Sequence, residues 1–285
     1  MLSALVIALR EGLEAALIIA ILAAYLVRAH RRAELRGLLL GAGAAGALCA
    51  AVGLTVALGA AELPTVTQEI IEGISSVLAV VLLTWMIFFM RKHARSQKSE
   101  LEASAARALA STSRWALPLV AFSAVAREGL ETVLFLYASF RNSTSTTGSG
   151  VGAVVGLLVA AALGFGIYRG GVHLNLRRFF QVTGGLLVIV AGGLLAGAVH
   201  AMNEAGAITV LTRPAWDLNG ILSDTGFVGS VLHGLMGYVG APNVLQVIAW
   251  WGYIVPTLIA FYGLPRFMRQ AGTAAAPQEK SASVG

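Results

Sequence analysis

Seven stretches of the chain are apolar for long enough to cross a bilayer, and short polar or basic segments separate them. About 30 Å of hydrocarbon takes about 20 helical residues at 1.5 Å each. That ruler predicts helices over 2–27, 35–58, 66–90, 116–140, 151–168, 179–201 and 244–262. Two of these runs are interrupted at the same relative place by the same five residues. Arg10-Glu11-Gly12-Leu13-Glu14 lies in the first and Arg127-Glu128-Gly129-Leu130-Glu131 in the fourth. Charged side chains at such depth cost about 2.5–3.5 kcal/mol each even on lenient insertion scales, so three per segment, twice, point to function.

Each REGLE helix is followed by one with glycines four apart, Gly37 and Gly41 in the first case and Gly152 and Gly156 in the second. This spacing is expected to serve close helix packing. Helices one to three and four to six thus read as two copies of one unit. Three helices is an odd number, so the second copy must be inverted relative to the first, as in many secondary transporters, whose sites lie where the copies meet. The expected fold is an all-α integral membrane protein of about seven transmembrane helices, two inverted three-helix repeats plus a seventh helix. The expected partition is 1–110 for the first repeat with its cytoplasmic linker, 111–202 for the second, 203–243 for an external loop, 244–265 for the seventh helix and 266–285 for a disordered tail. The loop is too long for a plain turn, and its apolar part, 221–239, lies on the outer surface or dips partway in.

Composition supports the membrane reading. Of 285 residues, 57% are hydrophobic and only 12% charged, against roughly 45–50% and 25% in soluble domains, and the mean hydropathy is +0.79. The single cysteine, Cys49, excludes an internal disulfide or a cysteine metal cluster within one chain. The net charge of +6 is gathered in clusters between the apolar runs. It reads as topology-setting charge, with the lipid bilayer and no nucleic acid as partner.

Those clusters are Arg28, Arg31, Arg32 and Arg36; Arg91, Lys92, Arg95, Lys98, Arg107 and Arg114; Arg169, Arg177 and Arg178; and Arg266, Arg269 and Lys280. All four fall on one side, which the positive-inside rule makes cytoplasmic. The other side carries Glu62, Arg141, Glu204, Arg213, Asp217 and Asp224. A multi-pass protein of the cytoplasmic membrane follows, N-terminus outside and C-terminus inside. Met1-Leu2-Ser3-Ala4 holds no basic side chain, so no cleavable signal peptide is expected.

Positions three and four apart share a helix face. Glu11 and Glu14 therefore point one way, as do Glu128 and Glu131, while Arg10 can pair with Glu14 and Arg127 with Glu131. The glycine in each string lets an opposing helix or an ion come close. Antiparallel helices crossing there would gather four carboxylates against two arginines, a conflict that a small, hard, highly charged cation resolves. An arginine-glutamate glue between helices needs one pair per helix and leaves the second glutamate of each string unexplained. At the outer end of helix three, Glu69 and Glu72 read either as a solvated helix start favoured by the dipole or as an outer metal site. Trp85 and the methionines after it read as packing and interface residues.

The doubled REGLE, the glutamates opening helix three, the Thr84-Trp85-Met86 string closing it and the segment from Trp216-Asp217-Leu218 to His233-Gly234-Leu235-Met236-Gly237-Tyr238 resemble the oxidase-dependent iron transporter family, the high-affinity iron permeases. The resemblance runs from Leu2 to about Arg269. It implies a transporter, not an enzyme, with no resident cofactor and Fe3+ as substrate. The metal would be held by Glu11, Glu14, Glu128 and Glu131, and Arg10 and Arg127 match the motif's arginines. It also implies partners: an extracytoplasmic oxidase, which is a multicopper enzyme in fungi, or in bacteria a haem peroxidase and a periplasmic cupredoxin-like protein in a ferrous-iron-uptake system. The residues by themselves leave open a proton-coupled carrier of another divalent cation, manganese or lead, with the glutamates as proton relay. An intramembrane enzyme is disfavoured, since the chain has no HExxH, GxSxG or P-loop string.

Overall fold

A computed structural model describes residues 1–61, 64–93, 97–111, 113–143, 145–170, 175–223 and 226–274. Glu62, Arg95, Asp224 and Lys280 lie outside the described residues, as do the side chains of Arg91, Lys92, Lys98, Arg177, Arg266 and Arg269. Nine α-helices occur among the described residues: α1 Leu2–Arg28, α2 Leu35–Ala61, α3 Thr65–His93, α4 Gln97–Ala110, α5 Ala116–Arg141, α6 Thr146–Tyr168, α7 Leu176–Glu204, α8 Phe227–Met236 and α9 Val244–Ala274. A short 3₁₀ turn, Arg32–Glu34, joins α1 to α2.

Every predicted apolar run is helical. Segments in α2, α3, α6, α7 and α9 are long and apolar enough to cross a membrane on composition alone. Helices α1 and α5, of 27 and 26 residues, are as long, at roughly 40 Å, and each carries the three REGLE charges in its middle. Two helices were not expected. The linker after α3 contains α4, whose Leu101, Ala105, Ala108 and Leu109 pack against Leu22, Leu26, Leu38 and Leu117. The 203–243 stretch contains α8, closed at Gly237, whose φ of 66° is the left-handed conformation that glycine adopts at helix ends.

Boundaries moved where polar caps extend the helices. Helix α6 begins at Thr146, five residues before its apolar run, because the Ser145 side chain accepts a hydrogen bond from Gly148 N. Asn175 does the same for α7 by accepting from Arg178 N. Helix α9 continues to Ala274, nine residues into the 266–285 stretch expected to be a disordered tail.

Helix packing is closed under exchange of the two three-helix sets. Helix α1 packs on α6 as α5 packs on α2, α1 meets α7 as α5 meets α3, and α1 with α5 and α3 with α7 form the pairs between equivalent members. The glycine pairs line the first two contacts, as their spacing predicts. Gly41 lies against the backbone of Pro118 in α5, and Gly156 against that of α1, where a Cβ would stand 2.6 Å from Leu5 O. The main core joins Ile7, Leu83, Ile87, Phe135, Leu187 and Leu194. Outward faces carry exposed apolar side chains, among them Leu40 of α2, Leu158 of α6 and Ile259 of α9, the composition of a surface that meets lipid tails.

Candidate metal centre

The two REGLE strings meet where α1 packs on α5. Each glycine in them clears the way for a helix. A Cβ on Gly12 would stand 2.9 Å from Ala160 Cβ of α6, and one on Gly129 would stand 2.5 Å from Cys49 Sγ of α2. With those neighbours fitted close, the charged side chains turn towards each other.

Carboxylate oxygens of Glu11, Glu128 and Glu131 all lie within 4.8 Å of one another. Glu11 and Glu128 are buried, and Glu131 keeps about a fifth of its side chain exposed, at 21%. Glu14, expected in the same set, is not among the three within that limit. Its Oε1 sits 3.3 Å from Arg10 Nη2, near enough to pair but too poorly aligned to make a hydrogen bond. The four-residue spacing brings Glu14 to the arginine one turn back.

Arg10 is 2% exposed. Its Nη1 donates to Glu11 Oε1 and to Met86 Sδ, both at 3.4 Å. Arg127 donates through Nε to Glu131 Oε1 at 3.2 Å and stands 4.0 Å from Glu128 Oε1, yet 48% of it is exposed. Equivalent arginines of the two strings thus sit in opposite surroundings, one sealed and one open.

Three oxygens carry the chemistry. Glu11 Oε2, Glu14 Oε1 and Glu128 Oε2 are buried and have no hydrogen-bond partner in the protein. Buried carboxylate oxygens without donors are costly, and an added cation could meet that cost. Four formal negative charges face two guanidinium groups. The donors in this set are oxygen alone, which suits a hard cation rather than a soft one.

Glu69 and Glu72 do not join this cluster. Glu72 accepts from Arg141 Nε at 2.9 Å and lines a cavity of about 250 Å³ at the end of the bundle where α1 begins and α5 ends. Glu69 lies one turn away on α3, half-buried. Of the aromatic string, Trp85 is 53% exposed and stacks on Phe89 with centroids 5.0 Å apart, as a packing and interface residue does. Met86, also read from the sequence as packing alone, touches Arg10 as well. Sequence reasoning missed this contact and the Ser3 Oγ to Ser139 Oγ bond of 2.8 Å between α1 and α5, because both depend on which helices become neighbours.

No solved structure matches the chain. Among curated proteins it is similar to the ferrous iron permease EfeU of Escherichia coli O6:H1 (strain CFT073), with 43% identity over 262 residues, covering 91% of this chain and 95% of that protein. It is also similar to the ferrous iron permease EfeU of Yersinia pestis, with 42% identity over 269 residues, covering 94% and 95%. Residues 1–273 match the iron permease FTR1 family. With an all-helical, lipid-faced bundle and a carboxylate centre between its REGLE helices, the chain belongs to the iron permease FTR1 family and is a transporter rather than an enzyme.

Proposed function

We propose that the protein moves ferric iron across the cytoplasmic membrane through the REGLE carboxylates. The observation that carries this reading is the set Glu11, Glu128 and Glu131 within 4.8 Å, with three buried oxygens of the REGLE strings, on Glu11, Glu14 and Glu128, lacking hydrogen-bond partners. Glu14 joins as a fourth ligand when Arg10 yields it, and Arg10 and Arg127 offset the charge of the empty centre. An all-oxygen, strongly anionic centre favours the trivalent, harder ion. The relatives are named ferrous iron permeases. The two statements agree if external ferrous iron is oxidised at the membrane, which assigns the partner as an extracytoplasmic oxidase or haem peroxidase with a cupredoxin-like protein.

The fold belongs to the same reading. Residues 1–110 and 111–202 form two inverted repeats, 203–243 an outer segment, 244–265 the seventh span and 266–285 a cytoplasmic tail, with the N-terminus outside. The exchange-closed packing of α1–α3 with α5–α7 supports the repeat, and the basic clusters support the orientation.

Two measurements test it. Radioiron uptake into vesicles holding the purified protein is expected with ferric iron and not with ferrous iron kept reduced. Equal uptake of both, or proton flux with manganese or lead and none with iron, overturns the ferric assignment in favour of a proton-coupled carrier of divalent cations. For orientation, Ser145→Cys is expected to react with an impermeant thiol reagent from outside and Ser99→Cys only once the inner face is opened, each in a Cys49→Ala chain. The opposite pattern inverts the topology.

A further inference from the structure

We propose that Met86 is a positioning residue of the REGLE centre: its thioether draws the Arg10 guanidinium off Glu14 and keeps carboxylate oxygens free for the incoming ion. This inference rests on the transport reading above and adds to it a residue outside the repeated string.

The molecule contains its own comparison. Arg10 and Arg127 hold the same place in identical strings, each with a glutamate four residues on, so helix geometry offers both the same pair. Arg127 makes it, donating through Nε to Glu131 Oε1 at 3.2 Å. Arg10 does not. Its Nη2 lies 3.3 Å from Glu14 Oε1, yet that oxygen is left without a hydrogen bond, as is Arg10 Nε. Arg10 is also the more deeply buried, at 2% exposed against 48%, and burial strengthens the pull between such groups. The missing bond therefore has its cause outside the string.

Met86 supplies that cause. Arg10 Nη1 donates to Met86 Sδ and to Glu11 Oε1, both at 3.4 Å. The N–H groups of a guanidinium form a rigid planar fork, so fixing Nη1 between these two acceptors sets the direction of the others. Nη2 and Nε then miss Glu14. The sulfur is itself firmly held. Met86 is 2% exposed and packs in the main core with Leu83, Ile87 and Met90 of its own helix. Two positions earlier, Thr84 Oγ1 lies 2.7 Å from Tyr253 OH, which pins α3 against α9 close to Met86.

A weak acceptor suits this task better than a strong one. A thioether accepts hydrogen bonds weakly and carries no charge, so it steers the guanidinium and still releases it when an ion arrives. A carboxylate in its place would add a fifth to the four of the two strings. With sulfur there, positive charge stands beside Glu11 and Glu14 and offsets their repulsion, while Glu11 Oε2 and Glu14 Oε1 stay without donors. Without the sulfur, the guanidinium is free to turn onto Glu14 and close a two-pronged, charge-assisted pair, the strongest kind an arginine makes. Iron would then have to break that pair to gain its ligand.

The test titrates the full chain in detergent with ferric nitrilotriacetate, counting iron retained per chain after desalting, and records the melting temperature without iron. Met86→Leu removes the sulfur at nearly constant volume, the core exchange that is best tolerated. It is expected to bind iron about tenfold more weakly, the lower end of the roughly 10- to 100-fold that follows loss of a group supporting a metal ligand. Its melting temperature is expected to equal or exceed that of the unaltered chain, because the Arg10–Glu14 pair improves. Met86→Gln keeps an acceptor for Nη1 in its side-chain oxygen and is expected to bind nearly as the unaltered chain does. A methionine that only fills space predicts binding and melting temperature falling together. Unchanged binding in Met86→Leu, a lower melting temperature alongside its loss of binding, or weakened binding in a folded Met86→Gln overturns the role of Met86. Undiminished iron retention in Glu11→Gln/Glu128→Gln instead overturns the REGLE centre, so the two failures are separable.

Discussion

Glu11→Gln and Glu128→Gln each lower iron uptake by about 100-fold or more while leaving the amount of folded protein unchanged. Glutamine keeps the size of the side chain and one acceptor oxygen but loses the anionic ligand. Changing groups that only support a metal ligand costs roughly 10- to 100-fold, so removing a ligand itself should cost at least as much. Folding should not suffer, because each change removes one negative charge from a set of three carboxylates packed within 4.8 Å. Radioiron uptake normalised to protein in the vesicle membrane measures the effect. Uptake near the unaltered level in both variants would remove these carboxylates from the transport path.

Arg10→Ala and Arg127→Ala are expected to differ sharply, although the two arginines hold the same place in the repeated string. Arg10 is 2% exposed, and its loss strands Glu11 and Glu14 inside the bundle. Breaking a buried pair in this way costs about 3–5 kcal/mol, a large share of the roughly 5–15 kcal/mol that holds a folded domain. Arg127 is 48% exposed and Glu131 keeps an open edge, so the loss of Arg127 strands no sealed charge and costs less than the loss of Arg10. The yield of monodisperse protein on size exclusion should therefore collapse for Arg10→Ala and hold for Arg127→Ala. Adding Glu14→Gln to Arg10→Ala should recover part of the loss. Equal yields from the two single variants would show that burial does not set the strength of these pairs.

Much of this was legible from residue patterns because a bilayer imposes strict rules. Charges inside apolar helices are conspicuous, and the i,i+4 geometry of Arg10 with Glu14 and Arg127 with Glu131 follows from helix periodicity, as their 3.3 and 3.2 Å separations bear out. Hydropathy could not find α4. Its sequence includes Lys98, Glu100, Glu102 and Arg107, and it is held by one apolar face against α1 and α5. Nor could local sequence divide the four glutamates into a set of three plus Glu14, or assign Glu72 to Arg141, 69 positions away. Those outcomes depend on which helices become neighbours, and periodicity within one helix carries no information about that.

The packing of α1 on α6 and of α5 on α2 has a consequence for synthesis. Each REGLE helix finds a principal partner in the other half of the chain, so neither half can complete itself alone. About 118 residues separate Arg28 at the end of α1 from Thr146 at the start of α6, which is roughly 6–24 s of translation at about 5–20 residues/s. Through that interval α1 waits in the membrane without α6, carrying three charges, and the pair it can form within itself, Arg10 with Glu14, is what makes the wait tolerable. A chain cut between α4 and α5 would have to be made as two pieces present together, since the first piece holds a helix whose fitted surface is still to be translated.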